Sequence, residues 1–403
     1  MCTKSPCPSA VWLILILINL FNFSGLSQDG PKISESKKLD SLNSIHLNRM
    51  EFQRFDKDKD KLISRKEFDD LTLASRLVNS NQTEKNPEDR FSMMDSNADS
   101  FISLPEFKFN LVRDTISWPG HSYRNVAYKK VGDKLLLMDI LMPTNSIHNK
   151  APVLYFVHGG GFRSGAKEYL RLNDLRAETA LYFAEKGYCC VSLSYRLVNT
   201  DPGSPIVLIR DCVTDAWDGL RFLKKNADKY QIDPDKIIVW GESAGAHIAQ
   251  MLTFSDPEKF LGDPALANIN VKPAAGISWY GPSDFTGSVV HDEQNSPKNR
   301  HLADITGKNS YSDDDFEALR EVSPYFLVTK DSPPLLLMQG DSDQSVHLSH
   351  ATLLNSKAQK LEAKVELIVV KNAGHNWRQV GEPIEPSKTQ IRSIMFDFAE
   401  STQ

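Results

Sequence analysis

Short apolar runs alternate with amphipathic stretches along the second part of the chain, and this alternation restricts the fold more than any other feature. Seven runs have the length and composition of strands: 134–142, 151–157, 188–194, 237–240, 275–279, 334–338 and 365–370. Helical patterns such as 173–186 and 212–226 separate several of them. Strands and helices that alternate at this spacing predict a mostly parallel sheet covered on both faces. Active sites in such folds lie at the carboxyl ends of the strands.

The chain divides into an amino-terminal and a carboxyl-terminal part. Residues 28–115 are rich in charge and helical in pattern. The alternation of short apolar runs and amphipathic stretches begins after Trp118-Pro119-Gly120. A length of 403 residues accommodates two folded units and a leader. We therefore predict a small all-α domain over 28–115 and an α/β domain over 116–403.

Residues 1–27 have the composition of a signal peptide. Lys4 supplies a positive flank, residues 11–20 are almost wholly apolar, and Gly25-Leu26-Ser27 offers small residues at the cleavage positions. The apolar run is shorter than the roughly 20 residues that a membrane-spanning helix needs. We therefore expect cleavage near Gln28, no stable membrane span afterwards, and a secreted or periplasmic protein.

Composition and charge restrict the partners. With 40% hydrophobic and 25% charged residues, the chain can bury a sizeable core. The formal net charge of -5 gives no electrostatic reason to expect a polyanion, so we expect no nucleic acid as a partner. Cys189, Cys190 and Cys212 are the cysteines that follow residue 27, and they lie in apolar patterns. Their odd number and surroundings favour small buried side chains over disulfides or a thiol nucleophile.

Two twelve-residue segments of the amino-terminal part carry oxygen-bearing side chains at positions one, three, five and twelve. These side chains are Asp56, Asp58, Asp60 and Glu67 in the first segment and Asp95, Asn97, Asp99 and Glu106 in the second. Leu62 and Phe101 would add main-chain carbonyls at position seven. Such sets suit Ca²⁺, a hard cation that takes six to eight oxygen ligands, and they predict an EF-hand pair. Ile63 and Ile102 fall where paired loops bury an apolar contact.

The sixth position of each loop departs from this pattern. Glycine is usual there because the backbone takes a positive φ, but Lys61 and Ser100 occupy it. We therefore expect moderate or weak affinity, suited to the millimolar calcium of extracellular modules, and a structural role for the ion. Two alternatives stay open. One is an acidic helical pair that binds no metal, and the other is a dockerin-like cohesin-binding module, which the final Glu of both loops disfavours.

One serine of the second part has the surroundings of a nucleophile. The strand-like run 237–240 leads into Gly241-Glu242-Ser243-Ala244-Gly245, and 246–253 has a helical pattern. In a G-x-S-x-G turn between strand and helix the hydroxyl is exposed, and the flanking glycines keep the two elements from colliding. The arrangement predicts Ser243 as a catalytic nucleophile, with a buried structural turn as the alternative.

A glycine-rich loop follows the strand-like run 153–157 and reads His158-Gly159-Gly160-Gly161-Phe162. Main-chain amides of Gly160, Gly161 and Ala244 would stabilise the negative charge that gathers on the oxygen of an attacked ester. A phosphate-binding loop is disfavoured because neither the Walker spacing nor a G-x-G-x-x-G pattern is present. His158 itself is expected to be a structural, hydrogen-bonding residue beneath the loop.

The base and its orienting acid should follow the nucleophile along the chain. His375 comes after the strand-like run 365–370 in a loop of small residues, and we favour it over the five other histidines that follow Ser243. For the acid, Asp343 lies three residues beyond Gly340 and suits a carboxylate that faces the imidazole. Asp341 is the alternative. The polar stretch 284–316 is either a lid or a solvated surface insertion, and its run of aspartates favours the insertion.

Taken together, these segments resemble the α/β-hydrolase esterases related to hormone-sensitive lipase, most closely the bifunctional acetylxylan and feruloyl esterase-like branch. The resemblance covers about residues 120–400. It rests on His158-Gly159-Gly160-Gly161-Phe162, Ser194-Tyr195-Arg196-Leu197, Gly241-Glu242-Ser243-Ala244-Gly245, Tyr280-Gly281-Pro282-Ser283-Asp284, Ser323-Pro324-Tyr325, Gly340-Asp341-Ser342-Asp343 and Gly374-His375. It implies an α/β-hydrolase fold in which the matching positions serve as oxyanion amides, nucleophile, acid and base. Ala246 and Gln339 depart from the usual glycine and histidine.

These inferences predict an exported serine carboxylic-ester hydrolase that forms an acyl-enzyme and needs no cofactor for catalysis. Short acyl esters of small molecules or glycans are the expected substrates, and the resemblance suggests acetyl or feruloyl groups. Two other functions stay open. The first is a serine peptidase of the prolyl-oligopeptidase type, which is disfavoured because the chain has no room for the propeller domain of those enzymes. The second is a non-catalytic calcium-dependent binding module.

Overall fold

The computed structural model describes residues 52, 56–68, 100–103, 116, 118–145, 147–172, 174–200, 203, 205–287 and 297–402. All of them belong to one compact unit, Ile45–Gln403. The expected signal peptide over 1–27 and most of the expected all-α domain over 28–115 lie outside the described residues. The domain boundaries therefore stay predictions.

Ten strands and nine α-helices are present in the described part of the chain. Strands β1 to β10 are Leu62–Ser64, Phe101–Ser103, Ser122–Val131, Lys134–Leu141, Ala151–Val157, Cys189–Leu193, Ile232–Glu242, Ala275–Trp279, Leu335–Gly340 and Val365–Val370. Helices α1 to α9 are Leu175–Glu185, Ile209–Lys225, Ala227–Tyr230, Ala244–Phe254, Pro297–Thr306, Phe316–Glu321, Pro324–Leu327, Leu348–Lys360 and Lys388–Ser401. None of these helices combines the length and the apolarity that crossing a bilayer requires.

Eight strands form one sheet in the order β10-β9-β8-β7-β5-β6-β4-β3. The six strands from β10 to β6 run parallel to one another. Strand β4 pairs antiparallel with β6, and β3 pairs antiparallel with β4 at the edge of the sheet. The mostly parallel sheet predicted from the alternation is therefore confirmed. Strand β3 was not predicted, because its polar sequence and its partly exposed edge position produce no apolar run.

The centre of the sheet is buried on both faces, and β5 shows how. All seven of its residues are buried. Because side chains of a strand point alternately to opposite faces, Val153, Tyr155 and Val157 pack on one side, in the cluster that includes Trp217 of α2. Leu154 and Phe156 pack on the other side, in the cluster that includes Phe183 of α1 and Ile391 of α9. The two-sided core fixes the carboxyl ends of β5, β7, β9 and β10 along one edge.

The expectation of a solvated insertion over 284–316 is wrong for part of the stretch. Asp284 and Phe285 are fully buried, and Leu302 and Ile305 of α5 are core residues. The buried carboxylate of Asp284 accepts hydrogen bonds from the amide and the hydroxyl of Thr286. Asp313 and Asp314 are exposed, as the charge run suggested.

Cys189, Cys190 and Cys212 are all buried and carry free thiols. Burial raises the pKa of the Cys189 thiol to about 12, and it raises the pKa values of the other two thiols as well. Thiolate nucleophiles require the opposite shift. The three cysteines are therefore small core side chains, as the sequence indicated.

Candidate active site

Ser243 lies in a sharp turn between β7 and α4, at the carboxyl edge of the sheet. Its φ of 51° and ψ of -120° fall where non-glycine residues are rare. A Cβ added to Gly245 would come within 2.1 Å of the Val157 carbonyl oxygen, and one added to Gly241 within 2.2 Å of the Gly245 carbonyl oxygen. Close backbone contacts therefore require both glycines, and the turn leaves Ser243 partly exposed.

The structure brings Ser243, His375 and Asp343 together from three distant segments. His375 Nε2 lies 3.0 Å from Ser243 Oγ, and His375 Nδ1 lies 2.8 Å from Asp343 Oδ2. With Nδ1 protonated, the ring donates to the carboxylate, and Nε2 is left to accept the serine hydroxyl proton. The three side chains thus have the connectivity that a catalytic triad requires.

The carboxylate of Asp343 is fixed by several donors. Its Oδ1 accepts from the amides of Ser345 at 2.8 Å and Val346 at 3.0 Å. Its Oδ2 accepts from Gln339 Nε2 at 3.1 Å in addition to His375. The alternative acid, Asp341, is exposed, and its carboxylate accepts from the Ser342 hydroxyl. The geometry therefore favours Asp343 over Asp341 as the partner of the imidazole.

Other histidines near the site are buried and serve the packing. His247 Nε2 contacts the Val322 carbonyl oxygen at 2.7 Å, and burial lowers its pKa to about 3. Burial likewise lowers the pKa of His158 to about 4, and its ring stacks on Tyr195 with 4.3 Å between ring centroids. His158 Nδ1 donates to the Gly159 carbonyl oxygen at 2.8 Å, which agrees with the structural role expected for it. His291 lies outside the described residues.

The glycine-rich loop after β5 turns back beside Ser243. Gly160 and Gly161 have φ values of 114° and 61°, and a Cβ on Gly160 would come within 2.3 Å of the Ser164 carbonyl oxygen. The Gly160 carbonyl accepts from the amides of Arg163 and Ser164. Among the hydrogen bonds of the described residues, none uses the amide of Gly160, Gly161 or Ala244 as donor. Three main-chain donors are thus available to a ligand.

Sequence reasoning missed two polar side chains of this region. Gln339 was noted as a departure from the family pattern, and its amide contacts both Asp343 and the Val346 carbonyl. Its place at the end of a strand, four residues before the acid, could have suggested this role. Glu242 pairs with Arg176, whose Nη1 lies 2.7 Å from Glu242 Oε1. No local motif marks that pair, because it joins helix α1 to the end of β7 through tertiary packing.

The first acidic loop gathers the carboxylates that the sequence singled out. Ligand atoms of Asp56, Asp58 and Asp60 all lie within 4.8 Å of one another. Burial and the neighbouring carboxylates raise the pKa of Asp56, although the amide of Lys61 donates to it. Asp56 Oδ1 is buried without a hydrogen-bond partner. A cation would relieve both the repulsion and the unpaired oxygen.

The two loops meet through a short antiparallel pairing of β1 and β2. Ile63 lies opposite Ile102, and both side chains are fully buried. Lys61 and Ser100 have φ values of 73° and 70°, the left-handed conformation expected at position six. Glu67, at position twelve, accepts from the amides of Lys57 and Ser64. Asp95, Asn97, Asp99 and Glu106 lie outside the described residues.

Comparison with known families and sequences points to esterases. The family described as BD-FAE matches residues 138–358, which is more than half of the chain. An isoprenylcysteine α-carbonyl methylesterase of Arabidopsis thaliana is 26% identical over 257 residues, covering 63% of this chain and 57% of the relative. Esterase LipC of Mycobacterium tuberculosis is 25% identical over 254 residues, covering 61% of this chain and 58% of the relative.

The matched region is also found in a much larger protein. A non-reducing polyketide synthase of Stereocaulon alpinum is 30% identical over 178 residues, which are 42% of this chain and 6% of the synthase. The chain therefore spans less than two thirds of the length of these curated relatives.

Solved structures share the fold. A truncated carbohydrate esterase from gut microbiota has a TM-score of 0.58 at 20% identity, covering 72% of this chain and 99% of the other. An esterase of Thermogutta terrifontis, solved with butyrate, has a TM-score of 0.56 at 22% identity, covering 70% of this chain and 94% of the other.

Proposed function

The chain belongs to the BD-FAE family of α/β-hydrolase esterases, and from this premise we propose that it is a serine carboxylic-ester hydrolase with Ser243, His375 and Asp343 as its triad. One observation carries the proposal, namely the hydrogen-bonded chain from Ser243 Oγ through the imidazole to Asp343. The available amides of Gly160, Gly161 and Ala244 support it, because acyl transfer needs donors where the oxyanion forms.

The proposed reaction has two halves. His375 Nε2 takes the Ser243 proton as the oxygen attacks the ester carbonyl, and the three amides stabilise the tetrahedral oxyanion. The imidazolium then protonates the leaving alcohol as the carbon–oxygen bond breaks, which leaves an acyl-serine. A water molecule then gives a proton to His375 and attacks the acyl carbon. His375 returns that proton to Ser243 Oγ as the bond between Oγ and the acyl carbon breaks, which releases the acid and restores the serine. Asp343 accepts the hydrogen bond from Nδ1–H throughout and orients the imidazole.

The proposed substrates are short acyl esters of small molecules or glycans, with acetyl and feruloyl groups as the first candidates. Membership in the BD-FAE family supports the choice of acyl groups. A structural neighbour that is named as a carbohydrate esterase supports the choice of glycan esters as substrates to test. A panel of acetyl, butyryl and feruloyl esters should show hydrolysis, with the highest kcat/KM on the preferred acyl group. No hydrolysis of any ester in the panel would contradict the proposal.

Replacement of the nucleophile tests the mechanism. We expect Ser243→Ala to lower kcat on p-nitrophenyl acetate by about a million-fold or to background, as loss of a triad serine does elsewhere. Labelling by a fluorophosphonate probe should disappear with it. Unchanged hydrolysis by the variant would overturn the assignment. Cleavage of peptide amides instead of esters would favour a peptidase, and an unlabelled parent would favour a binding module.

We also propose that Asp56, Asp58, Asp60, Glu67 and the Leu62 carbonyl bind Ca²⁺, with a second site at Asp95, Asn97, Asp99, Glu106 and the Phe101 carbonyl. The clustered carboxylates, the unpaired Asp56 oxygen and the left-handed Lys61 support this EF-hand proposal. The ion would be structural and would stabilise the folded chain by binding linkage.

Calorimetric titration of the parent with calcium tests this proposal. We expect binding in the range from micromolar to millimolar, and a higher melting temperature in calcium than in chelator. Asp56→Asn should weaken the binding, whereas Asp314→Asn, a change at an exposed aspartate outside the loops, should leave it unchanged. Absence of binding at several millimolar calcium would remove the hypothesis.

Export is proposed on the signal-like composition of residues 1–27. When the full chain is produced in an exporting host, amino-terminal sequencing of the exported protein should begin near Gln28. Retention of the whole chain inside the cell would contradict export.

A further inference from the structure

A buried carboxylate lies directly beside the proposed nucleophile. Glu242 is the last residue of β7 and is 4% exposed. Its Oε1 accepts from Arg176 Nη1 at 2.7 Å and from the Gly159 amide at 3.4 Å. Its Oε2 accepts from the Tyr280 hydroxyl at 3.1 Å. The G-x-S-x-G motif sets no residue type at this position, and the proposed reaction gives Glu242 no role.

The groups around Glu242 are held in defined charge states. Burial alone would lower the pKa of the Arg176 guanidinium, but the carboxylates of Glu242 and Asp174 hold it well above its ordinary value. Burial and the Glu242 charge raise the pKa of Tyr280 well above its ordinary value, so the phenol keeps its proton and donates. A buried ion pair of this kind is seldom more stabilising than apolar side chains of the same volume. A contribution to stability therefore does not by itself account for the buried pair of Glu242 and Arg176.

The main chain of Glu242 and two of its hydrogen-bond partners, Gly159 and Tyr280, connect it to the three parts of the proposed active site. Its main chain continues into Ser243. Gly159 precedes the glycines that supply two oxyanion amides. The ring of Tyr280 packs against the ring of His375, with 4.7 Å between the centroids. A Cβ on Gly159 would lie 3.3 Å from Ser243 Cβ, so the glycine-rich loop passes close to the nucleophile at this point.

We infer that Glu242, anchored by Arg176, is a positioning residue that fixes the oxyanion loop and the His375 imidazole relative to Ser243. The inference rests on the proposed esterase function and deepens it. Acyl transfer is sensitive to such placement, because a displacement of about 1 Å at a reacting group can lower the rate about 100-fold. Glu242 does not touch the ester, so its loss should slow the chemical steps without weakening substrate binding.

Glu242→Gln tests this role, because it keeps the shape and one acceptor oxygen but removes the charge that Arg176 holds. We expect kcat on p-nitrophenyl acetate, normalised to sites titrated by a fluorophosphonate, to fall about 10-fold to 100-fold. We expect KM to change by less than about threefold. Arg176→Lys should keep more of the parental kcat than Arg176→Met, because only the lysine can still pair with the carboxylate.

Tyr280→Phe is a milder variant for the case in which Glu242→Gln does not fold. It keeps the ring against His375 and leaves Glu242 Oε2 without its hydroxyl donor. We expect a fall in kcat of about threefold to tenfold at unchanged KM, since one hydrogen bond to a charged group is lost.

Asp139→Asn is the matched control. Asp139 lies on β4, outside the proposed catalytic groups, and is also a buried carboxylate. It pairs with Lys167 at 3.1 Å and with Arg124 at 3.0 Å. It should lower the melting temperature and leave kcat per titrated site unchanged. If Glu242→Gln and Tyr280→Phe behave in the same way, the positioning role is refuted while the esterase function stands. A parent that hydrolyses no ester would instead refute both.

Discussion

At the residue scale, Gln339 shows how much of the proposed triad depends on a side chain that performs no chemistry. Its amide nitrogen lies 3.1 Å from Asp343 Oδ2 and 2.8 Å from the Val346 carbonyl oxygen. Asp343 must keep the oxygen that faces His375 in one orientation, because that contact sets the tautomer and the aim of the imidazole. The amide of Gln339 therefore restrains the same carboxylate oxygen of Asp343 that faces the imidazole.

Gln339→Met removes this donor with little change in volume. We expect kcat to fall about tenfold with KM almost unchanged, since the loss affects the orientation of the base and not substrate binding. Gln359→Met, at an exposed position on α8, is the control and should leave both constants at parental values. Steady-state kinetics on p-nitrophenyl acetate, with titrated sites, make the comparison. Parental kcat in Gln339→Met would show that Asp343 is held by its main-chain donors alone.

Local motifs in the sequence mark some of the single residues that the fold brings together. Ser243 and His375 each lie in a short segment whose glycines and flanking strand were visible in the sequence, and the structure places them in contact. The Glu242 and Arg176 pair depends on which side chain of α1 reaches the end of β7. That contact is a property of the packed sheet and leaves no mark in either segment, so sequence reasoning could not find it.

At the scale of elements, the turn from β7 into α4 depends on two opposing effects at Gly245. Within a helix, alanine is favoured over glycine by about 1 kcal/mol, so propensity alone predicts that Gly245→Ala stabilises α4. The added Cβ, however, would come 2.1 Å from the Val157 carbonyl oxygen and 2.5 Å from the His158 carbonyl oxygen. Both oxygens belong to the backbone at and just after the end of β5, so neither can move without displacing the glycine-rich loop.

We therefore expect Gly245→Ala to lower the free energy of unfolding by about 2 kcal/mol or more and to reduce the fraction of sites that a fluorophosphonate can label. Gly381→Ala separates this effect from backbone strain. Gly381 has a φ of 79° with no atom within 4 Å of an added Cβ, so its replacement costs strain without a clash. Urea unfolding measures both variants. A stabilised Gly245→Ala would mean that helix propensity outweighs the contact.

Strands were predicted correctly where the sequence contains a short apolar run. The predicted runs 151–157, 275–279 and 365–370 coincide with β5, β8 and β10. Strand β7 begins at Ile232, five residues before the predicted start, because Asp233-Pro234-Asp235 has the composition of a turn. Part of the stretch 284–316 was misjudged for the same reason. Composition shows polarity, whereas the burial of Asp284 depends on an inward hydrogen bond that composition does not reveal.

At the scale of the whole molecule, three histidines link stability to pH. Burial lowers the pKa of His158 and of His350 to about 4 and that of His247 to about 3. In the unfolded chain each imidazole has a pKa of about 6.5. Between pH 6.5 and about 4 the unfolded chain therefore binds more protons than the folded chain, and the free energy of unfolding falls as the pH falls.

The pH window separates this effect from that of the carboxylates. Asp139 and Asp304 have pKa values below their ordinary range because, although burial opposes it, cationic partners and hydrogen bonds stabilise the charged form. Their contribution to stability is present above the unfolded pKa of about 4 and is lost only as the pH falls below that value. A decline in stability between pH 6.5 and 4.5 is therefore due mainly to the buried histidines.

We expect the free energy of unfolding, measured in urea, to decline from pH 7 to pH 4.5, with each histidine adding about 1 kcal/mol per pH unit below pH 6. His350→Gln should make the decline shallower, because His350 is buried and its Nδ1 accepts from the Ser283 amide at 3.2 Å, a contact that a glutamine oxygen can take over. His121→Gln, at an exposed histidine, should leave the slope at its parental value. Equal slopes in the parent and in His350→Gln would mean that His350 titrates in the folded chain as it does in the unfolded one, and that the link between stability and pH has another source.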